Sequence, residues 1–172
     1  MRNVILNVAV SLDGYISGEK GEYDWCFTDQ DYGMKEFFAR IDATLIGRKT
    51  YDLMVKMGEQ LYPALTNYVF SRTIQHSKAK NVHIVSEDVA AFVRKLKDTK
   101  GKGIWLFGGA ELIHACLEDN LVDEAMLSIH PIILGGGKPV FGKRSARLNL
   151  TLAHSKKYSS GLIQLVYKVK KS

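Results

Sequence analysis

Apolar residues follow two different spacings along the chain, and the contrast predicts a mixed α/β fold. Short runs of apolar, often β-branched residues are typical of strands buried on both faces. These runs are NVILNVAV (3–10), ATLIG (43–47), NYVFSR (67–72), NVHIVS (81–86), GIWLF (103–107) and DEAMLSIH (123–130). Strands of this kind favour a sheet that is covered by helices on both sides.

Three segments between those strands have apolar residues at helical spacing. They are DYGMKEFFARI (31–41), SEDVAAFVRKLKD (86–98) and AELIHACLE (110–118). The second is the clearest, with an apolar stripe formed by Val89, Phe92, Val93 and Leu96. Ser86 precedes it as the expected N-cap, acidic residues follow at its positive end, and lysines lie at its negative end.

Two late segments have apolar residues at every second position, which predicts a final antiparallel hairpin. The apolar positions are Leu148, Leu150 and Leu152 in the first, and Ile163, Leu165, Tyr167 and Val169 in the second. The chain is therefore expected to form an α/β fold with a mostly parallel sheet and an antiparallel edge. We expect these late strands to be exposed and to pair two subunits into a homodimer.

The totals restrict the possible classes of protein. A length of 172 residues fits one domain, and a net charge of +6 indicates either a plain basic surface or an anionic partner. The N-terminal segment does not resemble a signal peptide, and no apolar run is long enough to span a membrane. Two distant cysteines and unpaired histidines predict neither a disulfide nor a metal site. We expect a cytoplasmic protein that binds neither membranes nor nucleic acid.

The segment LIGRKTYD (45–52) places two cations where a strand meets a predicted helix. The first turn of a helix carries partial positive charge, so Arg48 and Lys49 are unexpected there. One explanation is that both side chains simply point into water, where screening makes the repulsion small. The other is that Gly47, Thr50 and these cations surround a bound anion such as a phosphate.

Two further strand ends have the composition of a phosphate site. Gly108 and Gly109 separate a strand from a helix and would let a pyrophosphate approach bare backbone amides. Ser71 and Arg72 end another strand and offer a hydroxyl beside a guanidinium. Each feature is also typical of an ordinary turn, but parallel strands bring their carboxyl ends to one edge. Together they predict a ligand with two separate phosphate groups, which describes NADPH.

Candidate acids are few. Asp13 precedes a glycine and is typical of a turn residue. Asp31 lies near a predicted helix start, with Thr28 or Asp29 as the expected cap, and could exchange a proton. Other nucleotide-binding motifs fail: GKPVFGKR (137–144) lacks the hydroxyl of a P-loop, and no GxGxxG follows the first strand.

The order of several short segments resembles the dihydrofolate reductase-like superfamily over essentially the whole chain. The segments are NVAVSLDGYIS, DATLIGRKTYD, VFSR, LFGGAEL and DEAMLSIHPIILGGGKPVF. Within that superfamily, the chain is similar to the reductase domain of the bacterial riboflavin-biosynthesis deaminase–reductase. The resemblance implies a single domain over residues 1–172, with a three-layer α/β fold, an eight-stranded mixed sheet and an NADPH site across the sheet edge.

The resemblance also implies a role for each residue of the site. Cofactor phosphates would be held by Gly47, Arg48, Lys49, Thr50, Ser71 and Arg72. The nicotinamide and pyrophosphate would be lined by Phe107, Gly108, Gly109, Ala110 and Glu111, and the nicotinamide also by Val8, Ala9 and Ile16. Asp31 lies sixteen positions before Gly47, the interval at which true dihydrofolate reductases place the acid that orients the pterin and helps supply a proton.

These observations predict an NADPH-dependent reductase of a small conjugated heterocycle that is pteridine-, pyrimidine- or flavin-like. The glycine-rich loop from Pro131 to Phe141 is expected to cover the substrate. Two other functions stay open: a dihydrofolate reductase proper, and a nucleotide-binding protein without catalysis, which would have no need of Asp31. A nucleic-acid-binding protein would instead show a steep dependence of affinity on salt.

Overall fold

The computed structural model describes residues 1–58, 61–77 and 79–170. Within these ranges, ten strands and four helices follow one another. The strands are β1 (Val4–Ser11), β2 (Tyr15–Ser17), β3 (Ile41–Gly47), β4 (Thr66–Phe70), β5 (Val82–Val85), β6 (Gly103–Gly108), β7 (Glu124–His130), β8 (Lys138–Pro139), β9 (Leu150–Lys157) and β10 (Ile163–Val169). The helices are α1 (Met34–Ala39), α2 (Arg48–Lys56), α3 (Val89–Lys97) and α4 (Ala110–Glu118).

Eight of the strands form one sheet in the order β5-β4-β3-β6-β1-β7-β10-β9. The six strands from β5 to β7 run parallel, while β10 is antiparallel to both of its neighbours. The predicted eight-stranded mixed sheet is thereby confirmed. The parallel part has a consequence for function, because the carboxyl ends of β4, β3, β6 and β1 lie next to one another at one edge.

Helices cover both faces of the parallel strands and produce three layers. Val93 and Leu96 of α3 and Ile113 and Cys116 of α4 are buried in one core against the even-numbered residues of β1. Phe37 of α1 packs in the opposite core with side chains such as Ile5 and Trp105. Met54 of α2 packs on that second side against Ile46 and Val69. None of the helices in the described ranges is long and apolar enough to cross a membrane.

Two helix starts differ from the sequence prediction. The cap of α3 is Asp88, whose carboxylate accepts a hydrogen bond from the Ala91 N–H at 2.9 Å, and Ser86 does not cap it. Helix α1 begins only at Met34, because Tyr32 and Gly33 both have positive φ angles. Neither Thr28 nor Asp29 is therefore its cap, and the Asp29 carboxylate instead accepts a hydrogen bond from the Tyr32 hydroxyl at 2.7 Å.

Strand β9 differs from every other strand of the large sheet in its exposure. All eight of its residues are exposed, including Leu152, which retains 53% of its accessible surface. It lies at the end of the sheet, so one of its backbone edges has no neighbouring strand within the described chain. An uncovered edge strand with exposed leucines is the part of a fold that most readily pairs with another molecule.

Candidate functional site

The three predicted phosphate segments lie along one rim, at the carboxyl ends of β4, β3 and β6. Gly47 ends β3 beside Phe70 of β4 in register, and the turn at Gly108 lies on its other side. The approach of the two helix starts is close. A Cβ added to Gly47 would lie 3.3 Å from the Gly108 carbonyl oxygen, and one added to Gly109 would lie 3.2 Å from the Thr50 hydroxyl oxygen. The glycines therefore leave the starts of α2 and α4 in direct contact.

The first turn of α2 carries the two cations that the sequence places there, and the structure gives each of them a partner. Arg48 pairs with Asp52 one turn along the helix at 3.1 Å and also donates to the Thr73 hydroxyl. Lys49 reaches across to α4, where its Nζ lies 2.7 Å from a Glu111 carboxylate oxygen. Both pairs are largely exposed, so their contribution to folding stability is small, about 0 to 1 kcal/mol each.

The loop after β4 joins the same rim through Arg48, because Thr73 belongs to that loop. Ser71 is buried, and its hydroxyl oxygen accepts hydrogen bonds from the backbone N–H groups of Thr73 and Ile74. Ser71 therefore shapes the turn. Arg72 is exposed, and within the described part of the chain it takes part in no ion pair, so its guanidinium is available to an anion.

The three residues expected beside a nicotinamide occupy the neighbouring strand β1 and the short strand β2. Val8 and Ile16 pack in the same apolar clusters on the side of the sheet that faces α4. Ala9 points to the opposite side, because successive residues of a strand alternate. The side chains of Val8 and Ala9 therefore lie on opposite faces of the sheet.

A second sheet of two short strands covers the end of β1. Residues of β2 pair with β8, and the Gly14 carbonyl accepts a hydrogen bond from the Val140 N–H at 2.9 Å. Asp13 fastens the glycine-rich loop to this cover, since its carboxylate accepts the N–H groups of Leu134 at 3.1 Å and Gly135 at 2.8 Å. The Ser11 hydroxyl also donates to it, and these hydrogen bonds lower the pKa of Asp13. Asp13 lies in the turn closed by the Gly14 N–H and the Ser11 carbonyl at 3.0 Å, as the sequence predicts, but its carboxylate binds a distant loop.

Asp31 lies on the α1 side of the sheet and is exposed. One of its carboxylate oxygens accepts a hydrogen bond from the Lys35 N–H at 3.0 Å, which ties it to the first turn of α1. The adjoining residue Tyr32 links this segment to β10, because the Gln164 side-chain amide donates to the Tyr32 carbonyl at 3.2 Å. Asp31 is thus held near the ends of β7 and β10 and not among the cations of α2.

Sequence reasoning missed an aromatic and polar group between α1 and the ends of β7 and β10. His130 is buried between the rings of Trp25 and Phe27, with ring centroids 5.2 Å and 5.0 Å away. Its Nε2 accepts the Phe27 N–H at 3.1 Å, which leaves Nδ1 to donate to the Ser128 carbonyl. These roles require a neutral imidazole, and burial accordingly lowers the pKa of His130.

Gln164 and Tyr158 complete that group. Gln164 lies opposite Ser128, which in turn lies opposite Ala9, so the three residues form a row across β10, β7 and β1. Among the described residues, the Tyr158 hydroxyl and the Trp25 ring N–H are buried without a hydrogen-bond partner. The signal available in the sequence was a set of polar residues inside strand patterns, and long-range pairing is needed to bring them together.

Two recesses of the structure lie away from the rim. A cavity of about 340 Å³ lies at the amino end of the parallel strands, lined by side chains such as Phe38, Tyr62 and Leu65. A second of about 320 Å³ lies under the β2–β8 cover, beside Val10 and Leu127. The rim instead presents two helix starts with cations beside them, which suits an anionic ligand better than an apolar one. Within the described residues, no cluster of His, Cys, Asp and Glu is arranged to hold a metal ion.

Comparison with known proteins places this arrangement in a family. The model of the RibD C-terminal domain matches residues 2–164. The chain belongs to the RibD C-terminal domain family. It is 42% identical to the uncharacterized protein YyaP of Bacillus subtilis over 178 aligned positions, covering 96% of this chain and 94% of YyaP.

Solved structures agree with that assignment. The chain is similar to a putative riboflavin biosynthesis protein of Shewanella sp. PV-4, with a TM-score of 0.87, 26% identity and coverage of 99% of this chain and 100% of that one. It also shares its fold with the dihydrofolate reductase of Enterococcus faecalis in complex with NADP(H), at a TM-score of 0.71, 14% identity and coverage of 98% and 97%. The dihydrofolate reductase-like fold is thus confirmed, and membership of the RibD family supports a reductase-like function.

Proposed function

We propose that the protein is an NADPH-dependent oxidoreductase that reduces a small conjugated heterocycle. The observation that carries this proposal is the meeting of three strand ends at one rim, where Gly47 touches the turn of Gly108 and Gly109 and Arg48 touches the loop of Arg72. A ligand with two separate phosphate groups suits this rim, because cations belong to two of its segments, Arg48 and Lys49 to one and Arg72 to the other. The family membership supports the reductase class.

The residues of the rim fit the phosphates of NADPH by their chemistry. The N–H groups at the starts of α2 and α4, with Lys49 and Thr50, would bind the pyrophosphate. Arg72 would bind the 2′-phosphate, with Ser71 shaping the turn that presents it. When bound, NADPH supplies the hydride, so the protein contributes positioning and electrostatics.

The heterocycle would lie on the α1 side of the sheet, next to Ala9. Phe107 and the aromatic group around His130 provide flat apolar surfaces there, and Ser128 and Gln164 provide hydrogen-bonding groups. Asp31 would give a proton to the substrate directly or through a water molecule, since it is exposed at the adjoining end of α1. The substrate class is pteridine-, pyrimidine- or flavin-like, similar to that of 5-amino-6-(5-phosphoribosylamino)uracil reductase.

NADPH and NADH titrations followed by fluorescence test the cofactor assignment. We expect NADPH to bind at least about tenfold more tightly than NADH, because only NADPH has a phosphate for Arg72. Consumption of NADPH with a panel of oxidised pteridines and ribosylamino-pyrimidinones then tests the reaction. Tight NADPH binding with no turnover on any member of the panel would favour a nucleotide-binding protein without catalysis, and turnover of dihydrofolate would favour a dihydrofolate reductase proper.

The protein would act as a homodimer in the cytoplasm, paired through β9 and β10. Leu152, with 53% of its surface exposed, and Ile163, with 42%, lie on these adjacent strands, where a second copy could cover them. Sedimentation velocity tests this with Leu152→Asp, which should convert a dimer to a monomer. Val55→Asp is the matched control, because Val55 is 55% exposed but lies on α2. A monomeric native protein, or a dimer that survives Leu152→Asp, would contradict the pairing.

A further inference from the structure

The Lys49–Glu111 ion pair indicates a role for Glu111 in ligand affinity, and this inference rests on the proposed function. Lys49 lies in the first turn of α2 and Glu111 in the first turn of α4, and their 2.7 Å contact joins the two helix starts. The Lys49 ammonium therefore lies at one of the helix starts where the proposed pyrophosphate would bind. In the free protein, that cation already has an anionic partner.

We propose that Glu111 determines the affinity of the rim for pyrophosphate-bearing ligands by occupying Lys49 until such a ligand displaces it. The carboxylate then acts as an internal competitor and does not contact the cofactor. A carboxylate retained among the cofactor phosphates would repel them, since charges of the same sign would lie close together. Binding therefore requires the Glu111 side chain to leave Lys49.

Three observations make that displacement easy. Lys49 and Glu111 retain 82% and 85% of their side-chain surface, so both remain hydrated when they separate. Glu111 is the acidic residue in the first turn of α4, where the helix dipole stabilises a carboxylate whether or not it is paired with Lys49. Lys138 of β8 also contributes to the lowered pKa of Glu111, after the larger effect of Lys49, so a second cation stays near the released carboxylate.

The same geometry predicts which part of a dinucleotide is affected. Glu111 is paired between the starts of α2 and α4, whereas Arg72 lies beyond β4 and is bound by neither partner of the pair. Removing the carboxylate should therefore strengthen binding of a pyrophosphate and leave binding of a 2′-phosphate unchanged. This separation distinguishes a local competitor from a general change in the charge of the protein.

The test compares Glu111→Gln with the native protein in titrations of inorganic pyrophosphate, adenosine 2′-monophosphate and NADPH. We expect pyrophosphate and NADPH to bind about two- to fivefold more tightly to the variant, the range that an exposed ion pair supports, and adenosine 2′-monophosphate to be unaffected. Asp119→Asn is the control, because it removes the same charge at the other end of α4. In a Lys49→Gln background, Glu111→Gln should have a clearly smaller effect, since the cation for which it competes is gone and only its repulsion of the phosphates remains.

Each outcome separates this inference from the cofactor assignment. The role of Glu111 is overturned if Glu111→Gln binds pyrophosphate no more tightly than the native protein, or if Asp119→Asn gains as much affinity. In either case, NADPH binding by the native protein leaves the reductase proposal standing. The expected pattern with pyrophosphate but no binding of NADPH by either protein would support Glu111 as a competitor and overturn the cofactor assignment. Absence of pyrophosphate binding in every variant overturns the role of Glu111, and absence of NADPH binding as well overturns both.

Discussion

The rim and the aromatic group on the α1 side are built in opposite ways. At the rim, the ligand-binding groups belong to short stretches of chain, such as Gly47 to Thr50, where a strand turns directly into a helix. On the α1 side, His130, Gln164 and Phe27 come from three distant segments that meet only in the folded chain. The first region is defined by local backbone geometry, and the second by the register of β1, β7 and β10.

This difference separates two tasks. Backbone amides and glycines offer the same site to any phosphate, so the rim suits a cofactor that many different enzymes use. A pocket of aromatic rings and buried amides depends on individual side chains, so it suits a particular substrate. We therefore expect substitutions at the rim to change cofactor affinity, and substitutions on the α1 side to change turnover.

Asp31→Asn should have the largest effect on turnover, and it tests whether the α1 side controls turnover while the rim controls cofactor affinity. Turnover should fall by about a hundredfold or more, because Asn cannot supply the proton, whereas NADPH affinity should not change. The Asn side-chain oxygen can still accept the Lys35 N–H, so the start of α1 should be preserved. Steady-state kinetics and NADPH titration provide the two readouts. Unchanged turnover would remove Asp31 from the mechanism.

Gly109→Val tests whether the rim controls cofactor affinity. Gly109 has a φ of 57° and a ψ of 141°, which disfavours any residue with a Cβ, and the added carbon would lie 3.2 Å from the Thr50 hydroxyl. We expect NADPH to bind about ten- to a hundredfold more weakly, since strain of about 1–3 kcal/mol would move the start of α4.

Gly58→Val is the control for that substitution. Gly58 also has a positive φ, 71°, but no atom of the described residues is recorded within 4 Å of its added Cβ. It should lower thermal stability without weakening NADPH binding. Equal loss of NADPH affinity in both variants would show that Gly109 acts through stability alone.

Arg72→Ala tests whether the 2′-phosphate and the pyrophosphate bind at different ends of the rim. NADPH should bind about tenfold more weakly, the effect of losing one charge-assisted contact, while NADH should bind as before. Arg94→Ala on α3 removes an equally exposed guanidinium from another surface and should leave both affinities unchanged. Parallel loss of NADPH and NADH affinity would move the 2′-phosphate away from Arg72.

The smallest expected effect concerns His130 and pH. Burial lowers its pKa in the folded state, so the unfolded chain binds more protons as the pH falls below its ordinary value of 6.5. The stability contributed by neutral His130 is complete above that value and is lost as the pH falls towards the folded-state pKa. Urea unfolding should therefore show lower stability at pH 5.5 than at pH 7.5, which is about one unit on either side.

His130→Gln should flatten that dependence, because an amide can keep the contacts with Phe27 and Ser128 without titrating. His76→Gln, at an exposed histidine, should keep the native dependence. If the slope of stability against pH is the same in His130→Gln and in the native protein, other groups cause it.

Sequence patterns predicted the parts that depend on neighbours in the chain. The helix over Ala110–Glu118 and the burial of Val93 and Leu96 follow from spacing, and the final hairpin follows from alternation. The pair β2 and β8 was not predicted, because each strand has at most three residues and exists only through the other. Two partners of the cations were equally hidden, since Thr73, which accepts from Arg48, and Glu111, which pairs with Lys49, come from other segments.

Amide-resolved NMR during an NADPH titration can locate the cofactor site, because it reports which backbone N–H groups contact the ligand. We expect the largest shift changes at residues 47–50, 72–73 and 108–111, with smaller ones at Val8 and Ala9. Shift changes centred instead on the cavity of Phe38 and Leu65, or on residues 11–15 under the β2–β8 cover, would contradict this expectation.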